Sequence, residues 1–562
     1  MPGTASDLED SSISDCQPCS KTDKPENSAI CDHDDTDCDT LVSGLIGASC
    51  TRTNIPWYTP KSALRGATHW DGMLGQFGDV LPSNEEARKL LDARLAQQPE
   101  GKHGIDGFCP SENFPFGRPK NSSLVLSKLE IIARLPDGSL CDSLVERYLS
   151  VIEGTHHLFH MPSLKSEIER FWLDPATATY GWLAQFFMVL ALGREATEQA
   201  AYDDDNLLRP VFLESAELCL SKTPVLFRAD TTLIRCLCLA VIVKLASVYQ
   251  CSVIDSCGVL TDMAVRSCME LGLHKPSGGF GNTEQQIRAR LWTAAVFLKV
   301  QQAANSGTPL LLRRCDFEYC GLRNLNDDEL ETASESWPLL RYTESTCQII
   351  IAEALPAAID IVSVANSADG NAGVDRLVHH ERQMISLLQD VQTIYNDMEA
   401  IDSFGWRRLQ RPMLEVYLRR MLLITHQANP PSPSDHLSKT YSQQQFVGSA
   451  LAILVHQRQI LEAIECAEMR MLAGLHKQDF FIAAVGACAT LRNSKQLEAG
   501  LDGWGLDGWG LDGWGLGLSA ASTRETIRDA LYWCKELWAR DVCRSTCNFW
   551  AYLILQRLLD GM

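Results

Sequence analysis

The sequence predicts an all-α fold, a multi-helix array without a substantial sheet, preceded by a disordered acidic N-terminal tail. Three observations carry this expectation. From about residue 121 onward, apolar residues recur at three- and four-residue spacing with few breaks, the pattern of amphipathic helices. Glycine and proline fall just past several of these stretches, where they stop a helix. Nowhere do alternating apolar and polar runs bounded by hairpin turns succeed one another, as a sheet requires.

At 562 residues, with 45% apolar and 22% charged side chains, the chain has room for a core of several hundred residues, and its composition is globular. The formal charge is −21, and no run of Lys and Arg exceeds two residues. So acidic a surface repels phosphate unless a basic module is set apart, which disfavours autonomous DNA binding. The 21 cysteines are scattered, odd in number and often embedded in apolar stretches, as at Cys236, Cys238 and Cys268. That suits small buried thiols in a reducing compartment better than a disulfide framework. The polar opening residues lack the apolar segment of a signal peptide. The most apolar long stretch, Leu233 to Tyr249, contains Arg235 and Lys244 and is too short for a membrane span. A soluble intracellular protein is expected.

Residues 1–40 carry eleven Asp and Glu against two Lys and almost no large apolar side chain, too little burial to offset the entropy of ordering. Residues 41–120 read as a linker with short helices, such as Asn84 to Gln98, between Gly- and Pro-rich joints. A helix is expected after Asp142 as N-cap, with Leu144, Val145, Tyr148, Leu149 and Ile152 on one face. Trp182, Leu183, Phe186, Phe187 and Leu190 form the next face, with Gly193 as its left-handed end. Further helices are predicted over 206–221, 230–249, 257–271, 283–304, 339–364, 376–400, 410–427, 441–473, 478–492 and 523–559. Asn429 to Ser434, with three prolines, reads as a surface loop. The sequence Leu-Asp-Gly-Trp-Gly occurs three times from Leu501 to Gly515. Two glycines in every five residues, each costing about 1 kcal/mol relative to alanine in a helix, make this a flexible insert. Its tryptophans and aspartates suit a weak protein-contact segment; the plainer reading is an expanded tract in a tolerant loop.

The most informative stretch runs from Cys257 to Glu318. Val259, Leu260, Met263, Ala264, Cys268 and Leu271 line one side of a helix. Gly272 comes next, at the position of a left-handed C′ residue, with Leu273 folding back in a Schellman ending and Pro276 barring continuation. After a glycine-rich loop, Thr283 and Gln286 have capping-box spacing and open a second helix. Ile287, Leu291, Ala294 and Leu298 share its face while Arg288 and Lys299 point elsewhere, and Gly307 with Pro309 ends it.

The order Leu271-Gly272-Leu273-His274-Lys275, then Arg288, Arg290 and Trp292 within 287–292, Gly307 and Pro309 within 306–309, Asp316, and Asn324, Asn326, Asp327 and Asp328 within 324–330 resembles the signature of the fungal-specific transcription factor domain, the middle homology region of fungal zinc-cluster transcription factors. Residues 140–172, including the His160-Met161-Pro162-Ser163 turn, and 182–193 are similar to the family's opening helices, and 413–427 to a later segment. The resemblance covers roughly 120–480, written as a regulatory domain over 121–480, with C-terminal helices and the flexible insert in 481–562. Where the family's second helix carries a tryptophan pair and an aromatic-Asp step, this chain has Trp292-Thr293 and Leu298-Lys299, which puts any shared surface role of that Asp in doubt.

The resemblance implies a binuclear zinc cluster at the N-terminus, which needs six cysteines and a basic loop. Only Cys16 and Cys19, with Cys31 beyond, faintly resemble half of one; the next expected cysteine is Thr22. The cluster is therefore read as absent or degenerate and no metal site is assigned. His156, His157 and His160 lie within five residues, but His160 falls on the family's helix-connecting turn and no further ligand sits at a suitable offset, so a structural role is expected. His274 is read as a capping or packing residue, the pair His379-His380 as a solvated face, and Cys315 and Cys320 as buried or partly buried thiols. Arg288 and Arg290 either pair with acids of neighbouring helices or bind an effector anion. No Walker loop, nucleophile elbow, His-Glu-x-x-His or Rossmann fingerprint occurs, so no catalytic residue and no cofactor is named.

The resemblance implies a nuclear regulator of transcription in a metabolic or secondary-metabolite pathway; with no catalytic set and so acidic a chain, it is expected to be no enzyme and to reach DNA only indirectly. The partners the resemblance implies are other transcription factors or co-regulators, a second copy of the chain, and a small-molecule effector. The alternative is a helical small-molecule sensor without a promoter role, in which Trp182, Phe186 and Phe187 line a ligand cavity.

Overall fold

Helix ends obey capping chemistry more closely than apolar pattern, and this moves several predicted boundaries. In the computed structural model of the protein, the helix expected after Asp142 begins at Gly138, because Asp137 Oδ1 accepts from Leu140 N at 3.1 Å. The structure describes residues 66–74, 113–117, 126–196, 208–224, 228–246, 252–275, 281–317, 321–332, 335–367, 374–396, 405–428, 436–462, 467–492, 523–540 and 546–561, with a few isolated positions between them. The acidic tail, Cys16, Cys19, Cys31, Cys320, the 429–434 loop and the 501–515 repeat lie outside the described residues.

Among the described residues the main helices, in chain order, begin with α1 (Trp70–Leu74), α2 (Lys128–Ile132), α3 (Gly138–Tyr148), α4 (Met161–Leu173), α5 (Tyr180–Glu195), α6 (Leu208–Ser221), α7 (Thr231–Ala246), α8 (Ser252–Glu270) and α9 (Asn282–Ser306). They continue with α10 (Thr346–Ala365), α11 (Val374–Tyr395), α12 (Trp406–Ala428), α13 (His436–Glu462), α14 (Ala467–Leu475), α15 (Lys477–Arg492), α16 (Thr523–Arg540) and α17 (Thr546–Asp560). No strand occurs among the described residues. Packing passes mostly between chain neighbours, from α5 on α3 and α6, through α7, α8, α9 and α10, to α12, α13 and α15. One continuous apolar cluster runs through all of these layers.

The segments 441–473 and 523–559, each predicted as one helix, are two helices apiece: α13 with α14, and α16 with α17. An amphipathic stripe is the same for a straight helix and for one that turns back on itself, so periodicity could not separate them. Helix α10 starts at Thr346 and not at 339, since Asn324 Nδ2 donates to the carbonyls of Pro338 and Arg341 (2.8 Å each) and holds that stretch as a turn. Gly193 does not end α5. It lies inside the helix, and a Cβ there would sit 2.0 Å from the Leu144 carbonyl oxygen; the glycine permits α5 and α3 to touch backbone to backbone.

Helix α9 is the axis of the array, buried on all sides from Ala289 to Val300. Lys299, expected to point away from the apolar face, is buried, its Nζ held 2.7 Å from Asp262 Oδ1 of α8. Helix α10 is long and apolar enough to cross a membrane, but it is mostly buried against α9, α11 and α12, which accounts for its composition. Two further expectations are corrected. His380 is buried with its Nε2 3.0 Å from Asp360, leaving only His379 exposed, and Cys315 is exposed. Cys236, Cys238 and Cys268 are buried free thiols, and burial raises the pKa of each.

Residues 66–74, within the stretch read as a linker, are built into the array. Gly66 N donates to Gly307 O (2.7 Å) and Ala67 N to Ala365 O (3.1 Å), while Asn366 Oδ1 accepts from Thr68 Oγ1 (2.9 Å). Arg420 Nη2 donates to Thr68 O at 2.7 Å, and Met73 and Leu74 enter the core. Gly307 ends α9 at φ +67°, as expected, and a Cβ there would meet His69 Cβ at 2.8 Å and Gly66 N at 3.0 Å. Gly307→Ala combines this crowding with a left-handed backbone and is expected to cost about 2 kcal/mol in urea unfolding, with new proteolytic cleavage confined to residues 66–77.

Candidate functional site

The Leu271 to His274 turn is fixed by its own backbone and by α9. Gly272 takes φ +67°, Leu273 N donates to Cys268 O (2.9 Å) and Gly272 N to Met269 O (3.0 Å), the Schellman pattern. Arg288 Nη2 donates to the freed carbonyl of Leu271 at 2.6 Å. The His274 ring lies 5.8 Å from Trp292, which stacks on Phe317. The expected capping box of Thr283 and Gln286 does not form, because α9 starts at Asn282 behind Gly281. Gln286 instead bridges to the 321–323 loop, donating to Gly321 O and accepting from Arg323 N. Asp316 pairs with Arg313 at 3.0 Å, which holds its carboxyl below the usual range; Pro309 and Asp328 are exposed.

The remaining signature residues converge on one buried node. Asn324 Oδ1 accepts from Thr343 and Thr346, and Asn326 Oδ1 accepts from Glu344 N, so the loop before Asp327 is laid on the start of α10. Asp327 Oδ1 then meets Arg290 Nη1 of α9 at 2.5 Å, with His157 Nε2 at 3.5 Å. Asp327 Oδ2 accepts from Met161 N at 2.7 Å, capping α4 from a distant part of the chain where the favourable pole of the helix dipole lies. The His160 ring spans Ser163 Oγ (2.7 Å) and Asp327 O (3.3 Å), and Arg290 Nη2 donates to Ser345 Oγ (3.1 Å). Arg290 thus pairs with an acid of the same domain.

Glu153, His157 and Gln348 belong to the node; neither Glu153 nor Gln348 stands out in the sequence. The end of α3 widens into a π turn over Leu149–Glu153, and after one more α turn His157 adopts φ +46°. Carbonyls freed by this widening are met from α12: Trp406 Nε1 donates to Leu149 O (2.9 Å) and Gln410 Nε2 to Gly154 O (2.6 Å). Glu153 is buried, accepting from Phe159 N at 2.7 Å and Tyr148 Oη at 3.0 Å. Gln348 Nε2 donates to the carbonyls of both His156 and Arg290. A polar residue directly after the apolar face of α3 was the one available signal for Glu153.

Burial disfavours ionisation of Asp327, but the Arg290 guanidinium, His157 and the Met161 amide outweigh it and hold the carboxyl well below the usual range. Burial, with Arg290 beside it, lowers the His157 pKa. Burial raises Glu153 to about 7. A carboxylate clamped by a guanidinium is a poor base, and this node is built to join four chain segments. The three clustered histidines diverge: His156 faces Phe297, His157 faces Asp327 and His160 faces Ser163. Trp182, Phe186 and Phe171 pack ring on ring at 4.9–5.6 Å, as a filled core does.

Residues 145–404 match the family described as the fungal specific transcription factor domain. The chain is 24% identical over 405 residues to transcription factor lepE of Aspergillus flavus, covering 70% of this chain and 47% of that protein. It is 22% identical over 311 residues to transcription factor opdR of Penicillium oxalicum, covering 53% and 39%. It is 23% identical over 463 residues to the fusarisetin A cluster transcription factor fsa6 of a Fusarium species, covering 76% and 59%. The chain spans about half the length of these curated relatives. The family and the relatives are transcription factors, not enzymes. The matched region, residues 145–404, contains the whole Arg290–Asp327 node.

Proposed function

We propose that this chain acts in the nucleus as a regulator of transcription for a metabolic gene set of the secondary-metabolite kind, and that these 562 residues do not bind DNA on their own. The observation that carries the reading is the family match together with a relative named for a biosynthetic cluster. The net charge of −21 and the want of any basic run support indirect DNA contact through another transcription factor or co-regulator. The helical array supplies surfaces for such partners, including a second copy. Deleting the gene is expected to change transcript levels of a contiguous gene set, and a tagged chain is expected to concentrate in nuclei. An unchanged transcriptome would remove the reading. Purified chain is expected to leave duplex DNA unshifted at physiological salt; a shift that weakens steeply with salt would overturn the indirect part alone.

A further inference from the structure

The node around Asp327 holds more acid than base. Glu153, Asp327 and Glu344 bring three carboxyls together, with Asp327 N donating to Glu344 Oε2 at 2.8 Å, while the Arg290 guanidinium pairs with Asp327. Glu153 and Asp327 are both buried, and the charge of Asp327 opposes ionisation of Glu153. With all three carboxyls ionised, the negative charge exceeds that of Arg290, and burial with the neighbouring Arg290 disfavours a charge on His157. The backbone here is irregular, a π turn followed by the sole non-glycine residue at positive φ among the described residues.

We propose that this node is a proton-held clasp: a proton on the Glu153 carboxyl, whose Oε2 lies 3.0 Å from Tyr148 Oη, keeps the His157–Met161 turn closed on the Asn324–Asp327 loop, and its release to solvent as pH rises loosens the two segments. Glu153 is faced by Tyr148 of its own helix, by the amides of Leu158 and Phe159, and by Asp327 from the loop. Arg235 and Cys238 of α7 act on Tyr148, and Arg235 Nε also donates to Leu158 O. Asp327 is faced by Arg290, His157 and the Met161 amide, and Glu344 by Asp327, Arg290 and Asp328. The sign is set by the acid being raised in the folded state, to about 7 for Glu153. Its contribution to stability is complete below the ordinary glutamate range and is lost as pH climbs through neutrality. The clasp stands on this geometry and is independent of the proposed promoter role.

The test uses the full chain. Between about pH 5.5 and about pH 8.5 the unfolding constant of the natural protein is expected to rise roughly thirtyfold from this one group. Amide exchange, corrected for its intrinsic pH dependence, should speed up over 157–161 and 324–330 ahead of the rest. Glu153→Gln keeps an acceptor for the Phe159 amide and carries no charge, so this part of the slope should vanish and both segments should stay protected. Tyr148→Phe removes a donor to the ionised form, so the transition should move to higher pH, which keeps the test open if Glu153→Gln fails to fold. Equal pH slopes in the natural chain and Glu153→Gln, or an unmoved transition in Tyr148→Phe, would overturn the clasp, as would exchange that rises uniformly over the whole domain.

Discussion

Arg290→Ala is expected to destabilise the domain by about 3–5 kcal/mol, read as a lowered urea midpoint by tryptophan fluorescence. The size comes from what is left behind. Asp327 would remain buried with its strongest partner gone, still holding Met161 N but facing Glu344 and Glu153 without a guanidinium. Removing one member of a buried pair costs far more than the pair contributes net, because desolvation of the survivor is no longer offset. The double variant Arg290→Met with Asp327→Leu should therefore recover much of the loss, limited by the Met161 amide that then lacks its acceptor. If the single and double variants are equally unstable, the ion pair is not what Arg290 contributes. Asp327 also sets an acid limit. With its pKa depressed in the fold, its contribution is present above the ordinary aspartate range and is lost as pH falls below it. Asp327→Asn should flatten that acid limb while lowering stability at neutral pH.

Gly193→Ala should cost about 3 kcal/mol or more, the largest effect expected from adding one methyl group. The added carbon would lie 2.0 Å from the carbonyl oxygen and 2.7 Å from the carbonyl carbon of Leu144, and both are backbone atoms inside α3. No rotamer change relieves such a contact, so α3 and α5 must separate. Alanine ordinarily stabilises a helix by about 1 kcal/mol over glycine, so a measured gain in stability would show that the helices do not approach this closely. Because α3 leads directly into the π turn and Glu153, exchange protection at 157–161 should fall with it.

Local rules made part of this domain legible. Gly272 and Gly307 take the left-handed conformation because a helix must end there and only a residue without Cβ does so without strain. The family signature could be read in order because its residues are spaced by helix and loop lengths. Elsewhere the same rules failed. Gly193 looks identical to a helix stop in sequence, but its reason is an approach to Leu144, in a helix well separated along the chain, that no local pattern records. Gln286 has the spacing of a cap, yet its amide is engaged by the 321–323 loop. Lys299 and His380 read as solvated from their own stretches of sequence, since nothing nearby announces Asp262 or Asp360.

By itself the sequence determined the helical class, the acidity that weighs against direct phosphate contact, and the motif order behind the family match over residues 145–404, since periodicity, charge and motif order are properties of the chain. Only the tertiary structure decided that Arg290, Asp327, His157 and Glu153 meet, that the carboxyls outnumber the guanidinium there, and that residues 66–74 close over the end of α9. The physical reason is range. Helix formation and capping act over about four residues, whereas burial and pairing of charge depend on which distant segments share a low-dielectric interior.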